Sequence, residues 1–145
     1  MKSSAVLSVA VSLFLMLASC SNSDDGGSDE VIKPDSHNIV GHWVSSKRDS
    51  YDSTTGETST LTGKHDNIDM ALFENGSCIH NTMEGTYNLV GNELFLKVSR
   101  YDDFIKREIS TTYNYYIEEF SANKMKIRYK PNSSWTFYYY AEKVQ

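Results

Sequence analysis

From residue 39 to the end of the chain, apolar and polar residues alternate with a period of two, which is typical of half-buried β-strands. Residues 124–130 show the pattern without interruption, because Met125, Ile127 and Tyr129 share one face and cations occupy the other. Residues 93–99, 109–118 and 135–144 alternate in the same way, and no segment after residue 20 has the period of a long amphipathic helix. The pattern therefore predicts an all-β domain.

Short turn sequences separate these predicted strands. Asn75-Gly76 supplies the positive backbone angles of a tight hairpin between predicted strands at 70–73 and 78–83, and Gly91-Asn92 does the same between 85–89 and 94–98. Further turns are expected at 54–56, 121–123 and 131–134, and a loop is expected at 100–106. Consecutive hairpins bury one face either in a closed up-and-down barrel or in a two-sheet sandwich, and closure also removes exposed strand edges. We expect a single antiparallel up-and-down β-barrel of about eight strands over residues 39–145.

The first 19 residues have the order of a secretory signal peptide, with Lys2, an uncharged apolar run over 5–17 and small residues after it. The run is shorter than the roughly 20 residues of a membrane-spanning helix. Leu17-Ala18-Ser19-Cys20 resembles the lipobox of bacterial lipoproteins. The resemblance implies cleavage before Cys20 and acylation of Cys20 with membrane-anchoring chains such as palmitate. The alternative is an ordinary cleaved signal peptide.

Residues 20–38 form a polar, acidic segment, with five acidic residues against Lys33 alone. This composition predicts a flexible tether between the lipid anchor and the domain. Ser23-Asp24-Asp25 resembles the export signals of surface lipoproteins, which implies the cell surface of the outer membrane, with its periplasmic face as the alternative. The remaining domain is close to neutral and has no basic stripe, so nucleic acid is not an expected partner.

The domain carries no recognisable catalytic or metal-binding motif. Its histidines lack the spacing of metal ligands, and a lipidated Cys20 leaves Cys78 without a disulfide partner. Neither a Gly-x-Ser-x-Gly nucleophile turn nor a phosphate-binding loop is present. We therefore expect no enzyme activity, cofactor or metal.

Aromatic density is the unusual feature of the domain, which contains all ten tyrosines. Six of them cluster on two late strands, and they are the candidate contacts for a ligand or partner: Tyr113, Tyr115, Tyr116, Tyr138, Tyr139 and Tyr140. The alternation predicts that Tyr113, Tyr115 and Tyr139 point inward and the other three outward. Ordinary barrel packing is the alternative explanation for the cluster.

Gly41-His42-Trp43, in the first predicted strand, resembles the Gly-x-Trp signature of the lipocalin (calycin) superfamily. The resemblance implies that Trp43 closes the barrel floor beneath a basic side chain, here Arg128 or Lys143. It also implies a non-catalytic module that binds a small hydrophobic or amphipathic ligand in the barrel mouth. The alternative function is a protein-interaction module, an accessory subunit or inhibitor, with a filled barrel. A Thr-Asp-Tyr motif and a C-terminal helix, both typical of lipocalins, are absent from the sequence.

Overall fold

The computed structural model describes residues 30–63 and 67–144. Their regular structure is entirely β, and the described part contains no helix able to cross a membrane. The nine strands are β1 (Gly41–Asp52), β2 (Thr58–Thr62), β3 (Asp69–Leu72), β4 (Ser77–His80), β5 (Met83–Val90), β6 (Glu93–Asp102), β7 (Arg107–Phe120), β8 (Lys124–Tyr129) and β9 (Trp135–Val144). The predicted all-β class is confirmed.

Pairing between the first and last strands closes the sheet into a barrel. From β3 onward each strand is antiparallel to the next, and β9 pairs with β1 from His42 to Asp52. The opposite edge of β1 pairs with β3 over Gly41–Val44 and with β2 over Lys47–Tyr51. The result is a closed eight-stranded antiparallel barrel with one additional strand, β2, in agreement with the predicted lipocalin-like architecture.

The two ends of the barrel differ in their turns. One end, the floor, carries the turns after β3, β5 and β7. The other end, the mouth, carries the turns after β1, β4, β6 and β8. The buried apolar core lies mostly toward the floor, and it comprises Ile39, Trp43, Ile68, Met70, Leu72, Cys78, Met83, Leu94, Leu96, Val98, Tyr115, Ile117, Phe120, Met125, Ile127, Tyr139 and Ala141.

A β-bulge in β1 changes which residues of that strand face inward. The pairing with β9 shifts register between Ser45 and Lys47. Ser45 lies opposite the buried Ala141, and beyond the bulge Arg48 lies opposite the buried Tyr139. A bulge inserts one residue and inverts the alternation that follows it. Arg48 therefore points into the barrel, which a simple period of two does not predict.

Two strand boundaries differ from the sequence-based expectation. The expected strand through Met83 instead ends at His80, because Asn81 and Thr82 form a tight turn with φ values of 47° and 74°. Threonine rarely adopts such values, so the sequence gives little sign of this turn. The loop expected at residues 100–106 is shorter, because β6 continues to Asp102 and only residues 103–106 form the turn to β7.

The last part of the predicted tether packs on the barrel floor. The Ile32 amide donates a hydrogen bond to the Phe120 carbonyl (2.9 Å), and Pro34 is buried. The Asp35 carboxylate accepts bonds from the amides of His37 and Asn38, both at 2.8 Å. Apolar contacts and local bonds thus order residues 32–38, which precede the domain boundary expected at residue 39.

Candidate functional site

The floor is closed by Trp43. Its side chain is fully buried, its Nε1 donates to the Ile39 carbonyl (2.8 Å), and its ring lies 5.6 Å from that of Phe120. The Lys143 ammonium lies 5.2 Å from the Trp43 ring centroid and donates to the Asn38 carbonyl (3.2 Å). Lys143 thus makes a cation–π contact with Trp43, and its hydrogen bond to the Asn38 backbone holds the ammonium group in place.

Of the two basic residues considered for that position, Lys143 occupies it. Arg128 instead points outward, with its guanidinium 4.9 Å from the Tyr116 ring and its Nε 2.9 Å from Glu118 Oε1. The backbone at position 41 shows why the motif has a glycine there. The φ of Gly41 is +144°, and a Cβ at this position would overlap the aliphatic part of the Lys143 side chain. The glycine leaves room for the lysine that covers Trp43.

A layer of aromatic side chains fills the middle of the barrel. His80 Nε2 and the Tyr115 hydroxyl are hydrogen-bonded at 2.8 Å, and both side chains are almost completely buried. The Tyr113 ring lies 4.4 Å from the His80 ring and stacks parallel to Tyr115 at 5.8 Å. Tyr129 packs against Tyr115 at 5.3 Å. We call these four side chains the aromatic layer.

The hydrogen-bonded pair of the aromatic layer, His80 and Tyr115, is uncharged at neutral pH. Burial lowers the pKa of His80 to about 4, because the protonated imidazolium loses its hydration inside the barrel. Burial also raises the pKa of Tyr115 well above its ordinary value. This pair is therefore a neutral, hydrogen-bonded contact in the layer that separates the floor from the mouth.

On the mouth side of this layer, inward-facing side chains remain partly exposed, including Tyr113 and Tyr129 of the layer itself. Phe137 stacks against Trp135 (centroids 6.1 Å, planes 10° apart), and the Arg48 guanidinium lies 5.0 Å from the Phe137 ring centroid. Trp135 is 39% exposed, whereas Tyr113, Tyr129, Phe137 and Arg48 are half-buried. We call these five residues the cup. It offers flat apolar surface, phenolic hydroxyl groups and one guanidinium.

The structure separates the six candidate tyrosines into groups. Tyr113 and Tyr115 lie in the aromatic layer, and Tyr139 lies deeper, buried opposite Ile127. Tyr116, Tyr138 and Tyr140 lie on the outer face. Sequence reasoning did not single out Trp135, Phe137 or Tyr129, although the first two alternate with Tyr139 on β9 and Tyr129 lies on the apolar face of β8. No pattern in the sequence points to Arg48, because the bulge decides its direction.

The outer tyrosines are held by polar neighbours. The Tyr140 hydroxyl donates to Asp49 Oδ2 (2.8 Å), and the Lys47 ammonium lies 4.3 Å from the Tyr140 ring centroid. The Lys126 ammonium lies 5.5 Å from the Tyr138 ring centroid and 3.4 Å from Glu118 Oε2. These contacts order a mixed-charge surface across β1, β9, β8 and β7.

Five of the clefts among the described residues have volumes of about 340–490 Å³, and Tyr113, Tyr115 and Tyr139 line none of these five. One of about 400 Å³ is bordered by Lys47, Lys126 and Tyr140, next to the outer tyrosines. In residues 30–63 and 67–144, no three His, Cys, Asp or Glu side chains converge as a metal site. The Cys78 thiol is buried, and burial raises its pKa.

No model of a known protein family matches this chain, and no curated protein matches it. A solved structure similar to it is that of an uncharacterized protein from Bacteroides eggerthii DSM 20697. The two chains are 15% identical, with a TM-score of 0.37, over 72% of this chain and 98% of the other.

Proposed function

We propose that this chain is a non-catalytic binding module, held at the outer membrane by a lipid anchor, that binds a small amphipathic ligand in the cup. One observation carries the proposal: inward-facing aromatic side chains of a closed barrel remain partly exposed at the mouth while the floor is sealed. Aromatic surface with a few convergent polar groups is the usual composition of a small-molecule site.

The cup also suggests how such a ligand binds. The buried His80 and Tyr115 of the aromatic layer fill the barrel below it, so the ligand lies at the mouth rather than deep inside. A flat apolar body fits against Trp135 and Phe137, whose rings are already stacked. A polar or anionic end group then lies beside Arg48.

The proposed site of lipid attachment is Cys20, which lies outside the described residues. The chain reaches the barrel at the floor, where Ile32 is bonded to Phe120. An anchor upstream of Ile32 therefore leaves the mouth free to face away from the membrane. Display on the cell surface remains our proposal from Ser23-Asp24-Asp25, with the periplasmic face of the outer membrane as the alternative.

Titration with anilinonaphthalene sulfonate, an aromatic amphipathic anion, tests the cup. We expect saturable binding to one site, weakened about tenfold by Trp135→Ala, because truncating an aromatic anchor commonly costs more than 1 kcal/mol. Tyr140→Phe on the outer face is the matched control and should leave the affinity unchanged. Equal affinity in the Trp135→Ala variant would reject the cup as the binding site.

A second function, a protein-interaction module with a filled barrel, is favoured by the aromatic layer itself. His80, Tyr113 and Tyr115 occupy the space that a deep ligand cavity would need. Native mass spectrometry of the gently purified domain separates the two functions. A retained small molecule that is lost on Trp135→Ala supports the ligand carrier, whereas a bare domain with no response to the dye supports the filled barrel.

Replacing Cys20 with Ala tests the anchor. We expect the variant to leave the membrane fraction and to lose palmitate labelling, since stable attachment requires the acyl chains. Membrane association without labelling in the unaltered protein would reject the lipoprotein assignment. Protease treatment of intact cells then distinguishes the faces, because only a surface-displayed domain is digested.

A further inference from the structure

The additional strand of the sheet, β2, has an edge that the described residues leave unpaired. β2 pairs with β1 on one side and stands at the end of the strand order. All five of its residues are exposed. Natural edge strands are usually protected by charged residues, proline or bulges, and Thr58-Ser59-Thr60-Leu61-Thr62 has none of these.

The hydrogen bonds at both ends of β2 define which residues face the open edge. The Asp52 amide donates to the Glu57 carbonyl (3.0 Å), and the Gly63 amide donates to the Ser46 carbonyl (3.1 Å). In an antiparallel ladder such bonds recur at every second residue. Ser59 and Leu61 therefore bond to β1, and the backbone groups of Thr58, Thr60 and Thr62 point toward the open edge.

That edge borders a notch in the barrel wall. β2 continues the position of β3 toward the mouth, but the neighbouring hairpin β4–β5 turns back at Asn81–Thr82. β6 continues beyond its last pair with β5, Glu84 with Ser99, and runs on to Asp102. Within residues 30–63 and 67–144, two strand positions are thus missing between β2 and β6, a gap of roughly 14 Å at the usual strand spacing.

The side chains around the notch suit an extended chain. Leu61 lies opposite the inward-facing Arg48, so it points toward the barrel interior, yet it is 45% exposed. A cleft of about 480 Å³ lies at the far wall, lined by residues that include Thr82, Ser99 and Arg100. An inserted strand would gain backbone bonds from β2 and an apolar contact from Leu61.

The width of the notch also determines what kind of partner fits. Two folded barrels joined edge to edge through β2 would curve toward the same side of the shared sheet. The second barrel would therefore overlap with β6 and β7 of the first. One five-residue edge also falls short of the about 1,200–2,000 Å² buried in stable protein pairs. A single extended peptide needs only one of the two missing positions.

We propose that the notch binds an extended segment of a partner protein as an added β-strand along Thr58–Thr62. Backbone bonds to Thr58, Thr60 and Thr62 provide the affinity, and apolar residues at alternate positions of the segment pack on Leu61. This site is distinct from the cup, whose contacts come from β1, β7, β8 and β9.

Phage-displayed random linear peptides, selected on the mature chain with Cys20→Ser, test the proposal. We expect selected peptides to alternate apolar and polar residues. In the unaltered strand, peptide binding should slow amide hydrogen exchange of Thr58, Thr60 and Thr62 at least tenfold. The amides of Ser59 and Leu61, already bonded to β1, should change much less. A failure to select any peptide, or protection only elsewhere, would overturn the proposal.

Proline variants give an independent test at the same edge. Thr60→Pro removes an amide that points away from β1, so we expect about a tenfold loss of peptide affinity with the barrel retained. Thr60→Val is the matched control, because it keeps that amide and should bind within twofold of the parent. Thr58→Pro and Thr58→Val repeat the comparison should the first proline disturb the hairpin. Unchanged affinity in a folded proline variant would contradict the proposal, even if the cup still bound its dye.

Discussion

The floor and the mouth of this barrel are built from the same strands but have different interiors. At the floor, inward-facing residues such as Trp43, Leu94 and Ile117 are apolar and completely buried. At the mouth, Arg48, Phe137 and Trp135 face inward and remain accessible. The difference predicts that the floor supplies most of the stability, and the accessible mouth is the place where we propose that a ligand binds.

The two tryptophans give the strongest test of this contrast. Trp43→Ala should lower the free energy of unfolding by about 3–5 kcal/mol, because it leaves a large cavity in the sealed floor. Trp135→Ala should lower it by less than about 1 kcal/mol, since that ring is already partly in water. Urea unfolding of both variants measures the difference, and equal losses would contradict the division into floor and mouth.

Lowering the pH should destabilise the folded barrel through His80, which lies between the floor and the mouth. Its pKa falls from 6.5 in the unfolded chain to about 4 in the folded barrel, so the unfolded state takes up the proton first as the pH falls. The free energy of unfolding should therefore decrease between pH 6.5 and 4, by about 3 kcal/mol in all.

His80→Gln isolates this contribution, because glutamine can still bond to Tyr115 but does not titrate. Carboxylates titrate in both proteins, so only the difference between the two unfolding curves reports on His80. If the two proteins lose stability in parallel over this range, His80 is not buried as a neutral side chain.

A smaller effect is expected where Lys143 covers the floor. Lys143→Met keeps most of the stem but removes the charge over Trp43 and the bond to Asn38, so we expect a loss of about 1 kcal/mol. Thermal unfolding at two salt concentrations measures it. Arg128→Met on the outer face is the comparison and should cost less, because its ion pair with Glu118 is partly exposed. A larger loss of stability in Arg128→Met than in Lys143→Met would show that the contact of Lys143 with Trp43 does not stabilise the floor.

The smallest effect concerns the β4–β5 turn beside the notch. Thr82→Gly should raise the free energy of unfolding by about 0.5 kcal/mol, since glycine adopts a φ of 74° without the Cβ penalty. Thr86→Gly in β5 is the control, and it should lower stability because strand glycines lose more entropy on folding. Destabilisation by both glycines would show that Thr82 is unstrained.

Much of the architecture followed from local patterns. Alternation and turn residues predicted an all-β barrel of consecutive hairpins, because strand geometry repeats every two residues and tight turns require particular backbone angles. The tryptophan at the floor was implied by the resemblance of Gly41-His42-Trp43 to the lipocalin signature. The inward direction of Tyr113 and Tyr115 followed from the same alternation.

Other features depend on contacts between residues far apart in the chain. The bulge between Ser45 and Lys47 turns Arg48 inward, and the early turn at Asn81–Thr82 leaves the notch beside β2. Lys143 rather than Arg128 covers Trp43, because the register between β1 and β9 places it directly opposite. The sequence by itself determined the alternating strands and the turns between them, whereas only barrel closure decided which side chains meet at the floor and at the mouth, since register is a property of paired strands rather than of one.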